Sequence, residues 1–229
     1  MTLNVIFEDN HLLVVEKPAG ILSQSGSLSL ENIMDTIKAY LKEKYQKPGN
    51  VFLGLVHRLD TNVGGLMVFA KTSKAASRLS KDIRNLDFEK KYMAVVRGTL
   101  KEDSTIELID YLDKDEINKM ALVKDESSGK KSVLRFKVLK TENNLSLIDI
   151  ELETGRFHQI RCQLANYGHP IYNDYKYNSK DIGYDLGLYA YRLGFNHPVS
   201  KEKLTFTLYP NTNPFSLFKD TIKKYEVKK

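Results

Sequence analysis

From Phe88 to Leu152 the chain reads as one strand pattern after another, with no helical period between them. Phe88 to Gly98 alternates, with Tyr92, Ala94 and Val96 on one side. Residues 104–152 give several short strand patterns, broken by polar turns at Asp125 to Gly129 and Glu142 to Asn144. A doubly wound sheet needs a helix after nearly every strand, so this block excludes one. Asn4 to Glu8 and Leu12 to Glu16 form a further strand pair through the turn residues Asp9-Asn10, and Leu188 to Phe195 and Leu204 to Leu208 form another. Helical periods are few. Leu28 to Tyr45 carries Leu30, Ile33, Ile37 and Leu41 on one stripe, and a cap at Ser73 starts a helix running to about Arg84. Phe157 to Asn166 and Phe215 to Tyr225 complete the set. The expected fold is α+β, a mostly antiparallel mixed central sheet with flanking helices. No repeat or low-complexity linker divides the chain, so residues 1–229 read as a single domain.

At 229 residues, with 41% hydrophobic and 28% charged content, the chain can bury a proper core. Its only cysteine, Cys162, excludes an internal disulfide framework and a cysteine-rich zinc site. No apolar run approaches the roughly 18 residues of a membrane helix. The start, Met1-Thr2-Leu3-Asn4, has no basic-then-apolar leader, so a cytoplasmic protein is expected. A net charge of +6 is compatible with a polyanionic partner without demanding one.

The chemistry concentrates in the run from His57 to Gly65, which lies between the strand-like segments Val51 to Val56 and Leu66 to Ala70. A polar loop held by strands is a common seat for catalytic side chains. It offers the carboxylate of Asp60, two residues from Arg58. Asp60 either caps a turn with Arg58 as a surface partner, or does chemistry. Phe157, Ile160, Arg161 and Leu164 share one helical face at i, i+3, i+4 and i+7. Three are apolar and face the core. Arg161 then snorkels at the stripe's edge or points inward and requires a carboxylate. Asp60 is a candidate, and the pair would keep Asp60 ionised and fixed in one rotamer, as a nucleophile requires. Tyr92 is a packing residue or a proton carrier in a cleft. His57, His158, His169 and His197 lack metal-site spacing, so no metal is expected. Gly64 and Gly65 make no nucleotide cradle. A kinase reading fails because Lys71 follows the loop instead of preceding it. Lys74, Arg78 and Lys81 lie on the outer face of their helix, either solvated or gripping phosphates.

Six segments in order resemble the RluA family of pseudouridine synthases along nearly the whole chain. They are Leu13 to Gly20, His57 to Asp60, Lys91 to Gly98, Gly155 to Arg161, Gly168 to Ile171, and Leu193 to Pro198. Two local departures stand out. Val63-Gly64-Gly65 replaces the family's Thr-Ser-Gly, and Phe157 replaces a threonine; both bear on substrate preference more than on activity. The pattern begins at residue 3, so no separate N-terminal RNA-binding domain is expected. The resemblance implies cofactor-free isomerisation of uridine in ribosomal or transfer RNA; the oligomeric state stays open, with a monomer as the default. It implies Asp60 as the nucleophile, Arg161 holding it ionised, and Tyr92 contacting the base and aiding the final deprotonation. Ile160 and Leu164 would offer apolar surface near the uracil, Arg58 would fill the space left by the flipped base, and His57 would stand with them on the substrate side. Two other readings compete. A catalytically dead RNA-binding protein would not need the Asp60, Tyr92 and Arg161 set. A carboxylate-based glycoside hydrolase would need a second carboxylate, which no matching motif supplies.

Overall fold

Apolar alternation builds most of the elements seen in a computed structural model, which describes residues 2–26, 31–177 and 185–227. In chain order they are β1 (Asn4–Glu8), β2 (Leu12–Lys17), α1 (Ile33–Lys44), β3 (Gly54–Leu55), β4 (Gly64–Ala70), α2 (Ser73–Arg84) and β5 (Phe88–Arg97). There follow β6 (Thr105–Asp115), β7 (Met120–Lys124), β8 (Lys130–Glu142), β9 (Leu145–Leu152), α3 (Gln159–Asn166), β10 (Leu188–Asn196), β11 (Lys203–Thr207) and α4 (Lys219–Val227). The expected α+β class holds. Every strand pair with a recorded register is antiparallel. No helix among the described residues is long and apolar enough to cross a membrane.

The chain divides into two compact units, Met1–Glu89 with Arg192–Leu208, and Lys90–Tyr191 with Tyr209–Lys229. In the first, the strand order is β1-β2-β4-β10, with β3 on β4 and β11 on β10. Its core gathers Leu12, Val14, Leu66, Val68, Phe88 and Phe195 under Ala75 and Leu79 of α2. Phe88 and Phe195 stack with ring centroids 5.1 Å apart. In the second, the order is β10-β5-β9-β8-β6-β7. One core there joins Met93, Val95, Leu147 and Tyr191 to Phe215, Phe218 and Ile222. A smaller one joins Leu112, Ala121, Cys162 and Tyr177.

Several boundaries differ from the sequence expectation, each for a local reason. The first helix begins at Ile33, because the Asn32 side chain caps it by accepting the Asp35 N–H at 3.0 Å. Leu30 of its expected stripe lies outside the described residues. Thr72, and not Ser73, caps α2, its hydroxyl accepting the Ala75 N–H at 3.2 Å. The strand expected over Val51 to Val56 shrinks to Gly54–Leu55. There the backbone runs so close to α2 that a Cβ on Gly54 would meet that of Ala76 at 2.8 Å. The short strands expected over 104–152 are long, β8 reaching 13 residues. Phe215–Phe218 is a 3₁₀ turn that precedes α4.

Candidate active site

The loop from Val56 to Val63 is held from behind by two buried polar side chains. Ser23 Oγ donates to the Leu59 carbonyl at 2.7 Å and accepts the Leu59 N–H at 3.2 Å. Lys17, wholly buried, donates to the carbonyls of Pro18, Ile21 and Thr61 at 2.9, 2.8 and 3.0 Å. Burial pushes its ammonium down to about 8, partly offset by the nearby Asp60 carboxylate. Gly20 adds its N–H to the Thr61 carbonyl at 2.8 Å, and the Val63 N–H closes a turn on the Asp60 carbonyl at 3.1 Å. The backbone on both sides of Asp60 is thus pinned, which limits the positions its carboxylate can take. Behind the loop, Gly65 sits at φ 125, a conformation that side chains other than glycine rarely adopt.

The other residues of this loop divide by exposure. Asp60 is half-buried and Arg58 exposed. His57 turns back on its own unit, where its Nε2 accepts the Val68 N–H at 3.1 Å and its ring lies 5.7 Å from Phe88. In α2, Arg78 donates to the Pro198 carbonyl at 2.6 Å, while Lys74 and Lys81 are exposed.

The second unit carries Tyr92, Ile160, Arg161 and Leu164. Arg161 does point inward, with 6% of its surface exposed. A carboxylate that no motif announced takes it in a two-oxygen grip: Asp174, 1% exposed, accepts Nε and Nη2 at 2.7 Å each. Arg161 Nη1 also meets His158 Nε2 at 2.9 Å. A guanidinium only donates, so that nitrogen accepts and the neutral ring carries its proton on Nδ1. Nδ1 then donates to Tyr177 Oη at 3.0 Å, which also accepts the Ala121 N–H at 2.7 Å. The Arg161 guanidinium lies 5.2 Å from the centroid of the Tyr177 ring. The result is a directed chain of hydrogen bonds that fixes the guanidinium in position and orientation.

Phe157 departs from expectation. It does not face the core, because His158 takes φ 50 and the helix can start only at Gln159. Phe157 is therefore exposed, stacked on His158 at 3.9 Å, with the Lys114 ammonium 5.2 Å from its ring centre. Nor is α3 an amphipathic stripe, since Gln159 through Leu164 are all buried. Two buried glutamines account for this. Gln159 donates to the Val133 carbonyl at 3.1 Å and Gln163 to Asp110 at 2.8 Å. Leu164 is wholly buried, Ile160 nearly so, and Tyr92 is buried on β5 opposite Ile150.

Sequence reasoning missed Lys17, His158 and Asp174. The lysine did leave a trace, standing two residues beyond the apolar run Leu12-Leu13-Val14-Val15. Asp174 left none, thirteen residues beyond its partner in a stretch without periodicity.

Solved structures place this fold in a known class. Human RNA Pseudouridylate Synthase Domain Containing 4 superposes with a TM-score of 0.74 at 20% identity, covering 96% of this chain and 93% of its own. Human RNA Pseudouridylate Synthase Domain Containing 1 gives 0.72 at 18%, covering 96% and 94%. The architecture is that of the pseudouridylate synthases. Sequence then narrows the class, since the model of the RNA pseudouridylate synthase family matches residues 11–166. The chain belongs to this family, in its RluA branch. The dual-specificity RNA pseudouridine synthase RluA of Haemophilus influenzae is 34% identical over 209 residues, 89% of this chain and 91% of that protein. Ribosomal large subunit pseudouridine synthase D of Neisseria meningitidis is 34% identical over 220 residues, 90% of this chain. The chain spans only 58% of that relative's length.

Proposed function

We propose that this chain isomerises uridine to pseudouridine in structured ribosomal or transfer RNA, with Asp60 as the nucleophile and no cofactor. The observation that carries the reading is the family match over residues 11–166, within which Asp60, Tyr92 and Arg161 all fall. The pinned loop around Asp60 and the anchored guanidinium of Arg161 support it. Substrate and product are isomers. The bond from N1 of uracil to C1′ of ribose breaks, a bond from C5 to C1′ forms, C5 gives up a proton and N1 gains one. That balance needs no electron donor and no group donor.

The target nucleotide first flips out of the RNA, at a cost on the order of a few kcal/mol that phosphate contacts on a basic surface offset. Asp60 then attacks the sugar or the uracil ring. By the family resemblance, Arg161 supports that nucleophile. Tyr92 contacts the base and assists removal of the C5 proton. Ile160 and Leu164 provide apolar backing, and Arg58 fills the space that the base vacates. His57 serves this side of the site by latching the loop onto β4. The protein acts as a monomer in the cytoplasm.

The test compares pseudouridine maps of total RNA from cells with the wild-type protein, with Asp60→Ala, and with neither. Sites dependent on the wild-type protein should vanish with Asp60→Ala and name the RNA. Purified Asp60→Ala should keep most of its RNA affinity, because phosphate contacts dominate affinity. Activity above a few per cent of wild type in that variant removes Asp60 as the nucleophile.

A further inference from the structure

Lys90 is a half-buried cation with no countercharge beside it among the described residues. It lies on β5 two residues before Tyr92, so strand alternation puts both side chains on one face, about 6.6 Å apart along the strand. Its ammonium sits against the loop that opens α3: a Cβ on Gly155 would stand 3.1 Å from Lys90 Nζ. Gly155 is outside the left-handed region, so what its missing side chain provides is room for that ammonium. Among the described residues, none hydrogen-bonds or ion-pairs with Lys90. Burial lowers its pKa, and no carboxylate among the described residues raises it again. Its neighbour in sequence and a fully buried lysine elsewhere are both provided for. Lys91 pairs with Glu151 at 3.1 Å, and Lys17 is caged by three carbonyls. A desolvated charge without a partner is unfavourable in the free protein, and an anion that arrives there relieves it.

We propose that Lys90 is a substrate-binding residue whose ammonium takes a backbone phosphate flanking the target uridine. The inference rests on the pseudouridine synthase reading. The anionic groups of an RNA are its phosphodiesters, and a compact ammonium suits a phosphate oxygen. The strand sets the spacing, with Tyr92 at the base and Lys90 one side-chain step away at the phosphate. Lys90 thereby holds the flipped nucleotide by its backbone.

The experiment uses the full chain and a synthetic stem-loop containing the uridine identified by mapping. In one series the phosphate on either side of that uridine is replaced by a neutral methylphosphonate. Lys90→Gln should lose about 10- to 100-fold in kcat/KM on the natural RNA. Wild type should lose a similar factor when one of the two phosphates is neutralised, and Lys90→Gln should lose nothing further at that position. Lys90→Met should melt no lower than wild type, because it removes an unpaired charge. The proposal is overturned by unchanged kcat/KM in Lys90→Gln, or by neutral phosphates that cost wild type and Lys90→Gln the same factor. Unfolding of both variants also overturns it, by making Lys90 a structural residue. A wild-type protein that converts no uridine in any RNA defeats the pseudouridine synthase reading itself, a result distinct from all of these.

Discussion

At the scale of single residues, the molecule commits most to the buried pair of Arg161 and Asp174. Each is nearly sealed from water, and each is tolerable there only because the other is present. Arg161→Met leaves the Asp174 carboxylate buried without its cation, and should cost roughly 3–5 kcal/mol of stability along with activity. Adding Asp174→Asn should restore part of the stability and none of the activity. Chemical denaturation of the single and double variants measures this, and a double variant no more stable than Arg161→Met refutes the coupling. The inward arginine was legible in sequence, because a charge on an apolar stripe demands an account. Its partner was not, since a hydrogen bond between residues so placed depends on how the chain after α3 turns back. The left-handed backbone of His158, which expels Phe157 from the helix, left no trace in sequence either.

At the scale of elements, a knot around Glu8 ties β1 to α1 and to the end of β4. The Glu8 carboxylate accepts Tyr40 and Tyr45 hydroxyls at 2.8 and 2.6 Å, and Lys44 and Lys71 ammoniums at 2.7 Å each. Burial alone would raise its pKa, but Lys44, Lys71, Tyr45 and Tyr40 together bring it down to about 2 from 4.5. As pH falls, the unfolded chain therefore takes up the proton first. The stability contributed by this group is present above about pH 4.5 and is lost as pH falls from there toward about 2. Glu8→Gln should be less stable than wild type at neutral pH, with the gap narrowing through that window. Urea titrations at pH 7 and on the acid side of 4.5 decide it, and an equal gap at both pH values would show that the knot is not the source. The elements it joins were legible from alternation and helical period. Their ends were not, because a cap at Asn32 or Thr72 and the close approach at Gly54 are settled by neighbours in space.

At the scale of the whole molecule, the class of fold was legible because strand after strand without intervening helices admits few architectures. The division into two units was not, because neither unit is continuous in sequence. Strands β5 and β10 both pass from one unit into the other, and residues after Glu89 return to the first unit only at Arg192. Leu193 and Phe195 belong to its core. A fragment of residues 1–89 should accordingly show no cooperative thermal transition. A sharp transition in that fragment would show that the return of β10 and β11 is dispensable. For a nascent chain the same wiring sets a delay. The stretch from Glu89 to Arg192 must be synthesised before the first unit can close, roughly 5–20 s at ordinary elongation speeds. Through that interval the ring of Phe88 lacks the cover that Phe195 gives it in the folded chain, and one edge of β4 waits for β10.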